Sequence, residues 1–357
     1  MEGGDDPVIK NISDRIKKMD RKSMQLIAIS VFLFVLMTAL RGDRFLRPAN
    51  IDSMLFQLVE PGLFAMCIAI AYLSKGIDLS IVTIANLVGI VNGILLRRTV
   101  LPDGSNALKM LFVCLAVSVL TGILCGLLNG VLIAKVGIFP ILATLGTQNV
   151  FMGIGMILTQ GRAEGNFPKA LLEFGNAHVG GVPLLTILFL VMFAAICIVV
   201  HKTPYGLKLQ WMGSNSKASW YSGIDNVRVT LTTYMLSGLM AGLCGMVIMA
   251  RSNSAKADYG VSYVFQALLT CVLGGISPLG GRGKVYNVLL SLIALQILGT
   301  GFNMLRVSPL IRDSIFGFLL VISILLDYIA EKRRADMLNR RAVKANEADA
   351  APPGNDG

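Results

Sequence analysis

Apolar runs that approach or reach the roughly 20 residues needed to cross the hydrocarbon of a bilayer constrain this chain more than any other feature. They lie at 24–40, 51–73, 79–96, 110–134, 137–158, 183–200, 229–250, 262–274, 286–302 and 310–329. In lipid a backbone must satisfy its own polar groups, so runs of this kind fold as helices. The expected fold class is therefore an all-α polytopic membrane protein with about ten transmembrane helices.

Charge orients these helices. The formal net charge of +11 is concentrated in the tails and a few loops, without the aromatic and basic interleaving of a nucleic-acid site. Short basic segments stay on the cytoplasmic side, which places both termini and the loop 201–228 inside. Residues 160–181 have mixed charge and form an outside loop with a short amphipathic helix at 168–174. Arg97 and Arg98 are discordant, because this topology puts them outside. The stretch TALRGDRF after the first span lacks a small-residue cleavage site, so that span reads as an uncleaved anchor. Three regions follow: a cytoplasmic arm at 1–22, a transmembrane domain at 23–330, and a basic, disordered cytoplasmic tail at 331–357.

The loop HKTPYGLKLQWMGSNSKASWYSGIDNVR, 201–228, is the longest polar interruption between spans. Ser214 or Asn215 can cap a short helix over 217–222 that stops at Gly223. Such a helix carries Trp220 and Tyr221 beside Ala218. A rigid aromatic pair there either anchors the loop in a groove of a partner or rests at the headgroup level.

Polar residues inside apolar runs are the candidates for a transport path. Glu60, followed by Pro61, is a carboxylate within the second span, where charge is costly and is either functional or paired with a neighbouring helix. Asp78, in SKGIDLS, either orients helices along the path or caps the third span. Asn129, Thr144, Thr147 and Asn303 can hydrogen-bond a hydroxylated solute or bridge helices.

Other classes find little support. His178 and His201 are the only histidines, and neither belongs to a catalytic or metal-binding pattern. The six cysteines lie in apolar runs without a CxxC pair and read as small hydrophobes, so no metal site is expected. GGRGK at 280–284 is not a phosphate-binding loop, because Pro278 occupies the first Gly position and Val285 follows the lysine. Any ATP must be bound by another chain. GILCGLLNGVLIAK at 122–135 echoes GLMAGLCGMVIMAR at 238–251, as an inverted repeat or as two closely packing helices.

Taken together, GIDLS at 76–80, GLLNGVLIAKVGIFPILATLGT at 126–147, the pattern G-x-N-x-x-A-x-x-x-S-G-I at 213–224, SGLMAGLCGMVIMAR at 237–251 and GGISPLGGRGKV at 274–285 resemble the permease subunits of bacterial ABC importers for ribose and related sugars. The similarity runs over about 45–328. It implies a permease in the bacterial inner membrane, paired with a second, identical or related permease. Cytoplasmic ABC ATPases would bind ATP from below, and a periplasmic sugar-binding protein would deliver substrate from above. It also implies that 213–224 is the coupling helix, with Asn215, Ala218, Trp220, Tyr221 and Gly223 at the ATPase contact, although the family more often has Arg where this chain has Trp220. Gly274, Gly275, Gly280, Gly281 and Gly283 would serve tight turns and close helix approach. The different-class alternative is a stand-alone secondary transporter or channel for a small polar solute.

Overall fold

The computed structural model describes residues 20–99 and 106–349. Thirteen helices carry most of the described chain: α1 Arg21–Phe45, α2 Pro48–Leu73, α3 Ile81–Thr99, α4 Ala107–Ala134, α5 Pro140–Thr159, α6 Lys169–Asn176, α7 Leu184–Lys202, α8 Pro204–Ser214, α9 Ser216–Tyr221, α10 Asn226–Ser252, α11 Tyr263–Leu273, α12 Tyr286–Met304 and α13 Pro309–Asp349. Proline opens α2, α5 and α8, where its missing N–H costs nothing. Asn253, in the left-handed region at φ 51°, closes α10. Two short antiparallel pairs complete the secondary structure: β1 Glu164–Gly165 with β4 Ser254–Ala255, and β2 His178–Val179 with β3 Val182–Pro183.

Among the described residues, nine helices are long and apolar enough to cross a membrane: α1, α2, α3, α4, α5, α7, α10, α12 and the first half of α13. The run at 262–274 differs. Its helix α11 has 11 residues, about 16 Å of rise against roughly 30 Å of hydrocarbon. The segment 256–262, without helix or strand, connects β4, on the face opposite loop 201–228, to α11. The tail also departs from expectation, because α13 continues unbroken to Asp349 where disorder is expected from Glu331. Residues 331–349 contain no Gly or Pro and are rich in Ala, Arg, Lys and Glu, which are good helix formers, so a helix already running from the membrane propagates. Most of the arm at 1–22 lies outside the described residues.

Loop contacts sort the helix ends into two faces. On one, the Gly281 N–H donates to the Leu73 carbonyl at 3.1 Å, the Val285 N–H donates to His201 Nε2 at 3.0 Å, and Ser23 Oγ donates to Asn287 at 2.7 Å. This is the basic face, with loop 201–228. On the opposite face Thr186 Oγ1 donates to the Leu55 carbonyl at 2.9 Å, Asp52 meets His178 at 3.0 Å, and β1 pairs with β4. Successive passes alternate between the faces, so α1 begins and α13 ends on the basic side.

The interior is built from α2, α3 and α10, and α11 and α12 pack onto it. The echoed segments meet here. α4 and α10 run antiparallel with backbones in contact: a methyl group at Gly126 would strike the Tyr234 carbonyl, one at Gly122 the Gly238 carbonyl, and one at Gly242 the Ser118 carbonyl. Small residues four apart on both helices permit that approach, the usual basis of tight association in lipid.

Candidate functional site

Glu60 lies in the middle of α2 and is 1% exposed. Its Oε1 accepts from Arg251 Nη1 at 2.7 Å, and its Oε2 accepts from the Tyr259 hydroxyl at 3.2 Å. Arg251 comes from the last turn of α10 and Tyr259 from the irregular stretch before α11. The end of α10 and the stretch that follows it, 191 and 199 residues beyond Glu60, thus converge on one carboxylate. A buried carboxylate needs a cation and further donors to offset its desolvation, and Glu60 has both.

The Arg251 side chain keeps 30% of its surface exposed and reaches a small polar cleft of about 80 Å³. Helices α2, α11, α12 and α13 line it with Gln57, Gln266, Gln296, Asn303 and Arg312. Gln296 Nε2 donates to Gln57 Oε1 at 3.3 Å, tying α12 to α2 one turn from Glu60. Asn303 therefore stands at a site that also adjoins Glu60.

Asp78, Asn129, Thr144 and Thr147 form a second, separate cluster, all buried. Asp78 Oδ1 accepts from the Ser80 N–H at 3.1 Å and the Ser80 hydroxyl at 2.7 Å, and its Oδ2 accepts from the Ser237 hydroxyl at 2.7 Å. Asn129 donates to Ser80 Oγ at 2.8 Å and accepts from Thr147 at 2.6 Å, while Thr144 donates to the Ile77 carbonyl at 3.2 Å. The link between α2 and α3 is thereby bolted to α4, α5 and α10. Asp78 is not the N-cap of α3, which starts at Ile81. Ser80 stands in that place, its carbonyl accepting from the Ile84 N–H, and Asp78 holds Ser80. None of these four residues faces open space in this conformation.

The third feature lies on the basic face. Asn215 Oδ1 accepts from the Lys217 and Ala218 N–H groups at 3.1 and 3.0 Å and starts α9, which ends before Gly223 at φ 80°. Trp220 and Tyr221 project from α9, 64% and 81% exposed, with ring centroids 5.0 Å apart. Ser219 turns inward and donates to Asn226 at 2.9 Å, fastening α9 to the first turn of α10. Just upstream, a side chain at Gly213 would collide with the Leu73 carbonyl, and one at Gly281 with Ser214 Oγ. The end of α8, the end of α2 and the turn 274–285 are consequently in backbone contact. Gly280 and Gly281 adopt φ of 91° and 70°, which side-chain-bearing residues rarely take. Gly275 and Gly283 also have positive φ, and Gly274 sits close against Val288 of α12. In the same turn Lys284 lies 5.7 Å from the Tyr286 ring centroid and 3.5 Å from Asp20, and these two neighbours raise its pKa above the ordinary lysine value.

Arg251, Tyr259, Ser237, Gln57, Gln266, Gln296 and Arg312 are absent from the sequence-based candidates. The glutamines interrupt apolar runs just as Glu60 does, so that signal was available for them. Arg251 ends a motif and carries no local hint of its partner.

The family profile described as the permease component of the branched-chain amino acid transport system matches residues 50–324. Among curated relatives, the chain is 32% identical over 309 residues to the ribose import permease protein of Bacillus subtilis (strain 168), covering 84% of this chain and 91% of that one. It is 28% identical to the D-allose transport system permease protein of Escherichia coli (strain K12), covering 86% and 91%. It is 29% identical to an autoinducer 2 import system permease protein of Photorhabdus laumondii, covering 74% and 78%. No solved structure matches.

Proposed function

The chain belongs to the family of branched-chain amino acid transport system permease components, and from that premise we propose that it moves a sugar or similar polyol inward as the membrane-spanning subunit of an ATP-binding-cassette importer. It is a multi-pass membrane protein with a transport role. In this reading the basic face is cytoplasmic, the membrane is the bacterial inner membrane, and ATP is bound and hydrolysed by partner ATPase subunits. A periplasmic sugar-binding protein docks on the opposite face, and a second permease completes the passage.

The observation that carries the energy-coupling part is α9. A six-residue helix, capped by Asn215 and fastened by Ser219, presents two aromatic rings in edge-to-face contact to the space beyond the spans. Aromatic side chains held this way are suited to fill a groove on a partner. The backbone contacts through Gly213 and Gly281 support transmission of its movement to α2, and so toward Glu60. A stand-alone ion-coupled carrier is less well supported, because the two carboxylates buried among the described residues, Glu60 and Asp78, are both already engaged by protein donors.

The test is a Trp220→Ala, Tyr221→Ala double variant. It should insert normally, yet co-purify poorly with its ATPase and lose ATP-driven uptake in vesicles, because truncating anchors of this type costs about 2 kcal/mol or more. Lys217→Ala, at a solvated charge, should change little. Retention of both complex and uptake by the double variant would overturn the assignment of α9.

A further inference from the structure

The cleft beside Arg251 has the composition of a binding site rather than of a helix contact. Gln57 and Gln296 lie 9 and 8 residues inside the ends of α2 and α12, so the floor is roughly 12–13 Å below the helix ends of the face opposite the basic one. Polar side chains at that depth do not face lipid without cost. Gln57 and Gln296 already partner each other, and Gln57 also donates to Ser53 Oγ at 2.7 Å. Among the described residues, by contrast, the side-chain amides of Gln266 and Asn303 have no hydrogen-bond partner. Each amide offers donors and an acceptor together.

We propose that this cleft is a solute-binding station, in which Gln266 and Asn303 hold one hydroxyl-bearing edge of a neutral polyol entering from the face opposite the basic loop. The inference rests on the transport reading above and adds to it the residues, the face and the charge class. Neutrality follows from the local balance of charge. Arg251 is held by Glu60 at 2.7 Å, and Arg312 Nε lies 3.4 Å from Asp313, so no cation is left over for an anion. Amide groups match hydroxyls, which also donate and accept. Size sets the extent of contact. About 80 Å³ corresponds to two or three water molecules at about 30 Å³ each, room for a diol or hydroxymethyl edge while the rest of the solute stays in the mouth. Arg251 couples the station to Glu60, so occupancy is felt on α2.

Gln266→Cys and Asn303→Cys, each in a full-length chain whose six native cysteines are replaced, test this in the assembled importer. A membrane-impermeant methanethiosulfonate reagent is applied from the side opposite the basic loop. Both positions should react, and D-ribose or glycerol should slow the reaction several-fold while D-ribose 5-phosphate does not. Ala163→Cys, on the same face but away from the cleft, should react without protection. Failure of Gln266→Cys to react, equal rates with and without either neutral polyol, or protection by the phosphate ester alone would each overturn the proposal. As a second variant, Gln266→Leu with Asn303→Leu should raise the KM of uptake at a normal amount of assembled importer, and an unchanged KM would overturn the recognition role. Absence of ATP-driven sugar uptake by the wild type would sink the transport reading, whereas labelling and protection report on the cleft alone.

Discussion

Replacing Glu60 by Gln preserves shape and an acceptor but removes the charge that faces Arg251. With charge centres about 4 Å apart and an effective dielectric near 20, the lost attraction is about 4 kcal/mol. Part of this is offset, because the Arg251 side chain is 30% exposed and water in the cleft screens it, so a net destabilisation of about 2–3 kcal/mol is expected. Arg251→Gln should cost more, about 3–5 kcal/mol, since it strands a carboxylate 1% exposed with neutral tyrosine hydroxyls, Tyr259 foremost, and no cation against it. The double variant leaves two amides that hydrogen-bond each other, so its cost should fall short of the sum by about 2–4 kcal/mol. Unfolding free energies from SDS titration in mixed micelles complete the cycle, and uptake assays on the same variants should show impaired transport by both singles at near-normal membrane insertion. If the two effects add within about 0.5 kcal/mol, the sites are independent and the ion pair is not what holds α10 to α2.

Asp78→Ala should destabilise more than Asp78→Asn, because it leaves the Ser80 N–H and Ser237 hydroxyl unsatisfied at about 1–3 kcal/mol each; equal melting temperatures for the two variants would count against the cluster. Gly213→Val drives a side chain into the Leu73 carbonyl, so α8 must lift from α2, and uptake should fall further than ATPase co-purification; a variant with normal uptake would exclude this contact from coupling. Ser216→Cys should react with an impermeant reagent only from the cytoplasm, and Gly165→Cys only from outside; reaction of Ser216→Cys in intact cells would reverse the topology.

Much of the architecture was legible because lipid leaves the backbone few choices: apolar length alone located nine of the ten passes. The tenth was legible as a short apolar run behind the polar stretch NSAKADYGVS at 253–262, but nothing in that stretch announces that its carbonyls are taken by a side chain from α3, with Asn86 donating to the Ala257 and Tyr259 carbonyls. Local chemistry read well, as the Asn215 cap and the short helix after it illustrate. Partnerships across the chain did not. Arg251 is 191 residues from Glu60 and Ser237 is 159 from Asp78, so a buried carboxylate signals that it needs a partner without saying which. Asn129, Thr144 and Thr147 were ambiguous for the same reason, and the structure gives each a protein partner.

The contact of α10 with α4 also bears on how the chain is made. Gly122 and Gly126 leave a groove along α4 that only α10 fills, and α10 is encoded roughly a hundred residues later. At ordinary rates of synthesis α4 waits on the order of 5–20 s in the bilayer before its match emerges. During that interval Asp78 keeps Ser80 but lacks Ser237, and Glu60 lacks both Arg251 and Tyr259, so the nascent half-protein carries one half-satisfied acid and one without its cation. A message truncated before residue 226 should therefore yield an assembly intermediate that quality-control proteases of the membrane remove, whereas truncation after Ser252 should let the first half lock and persist.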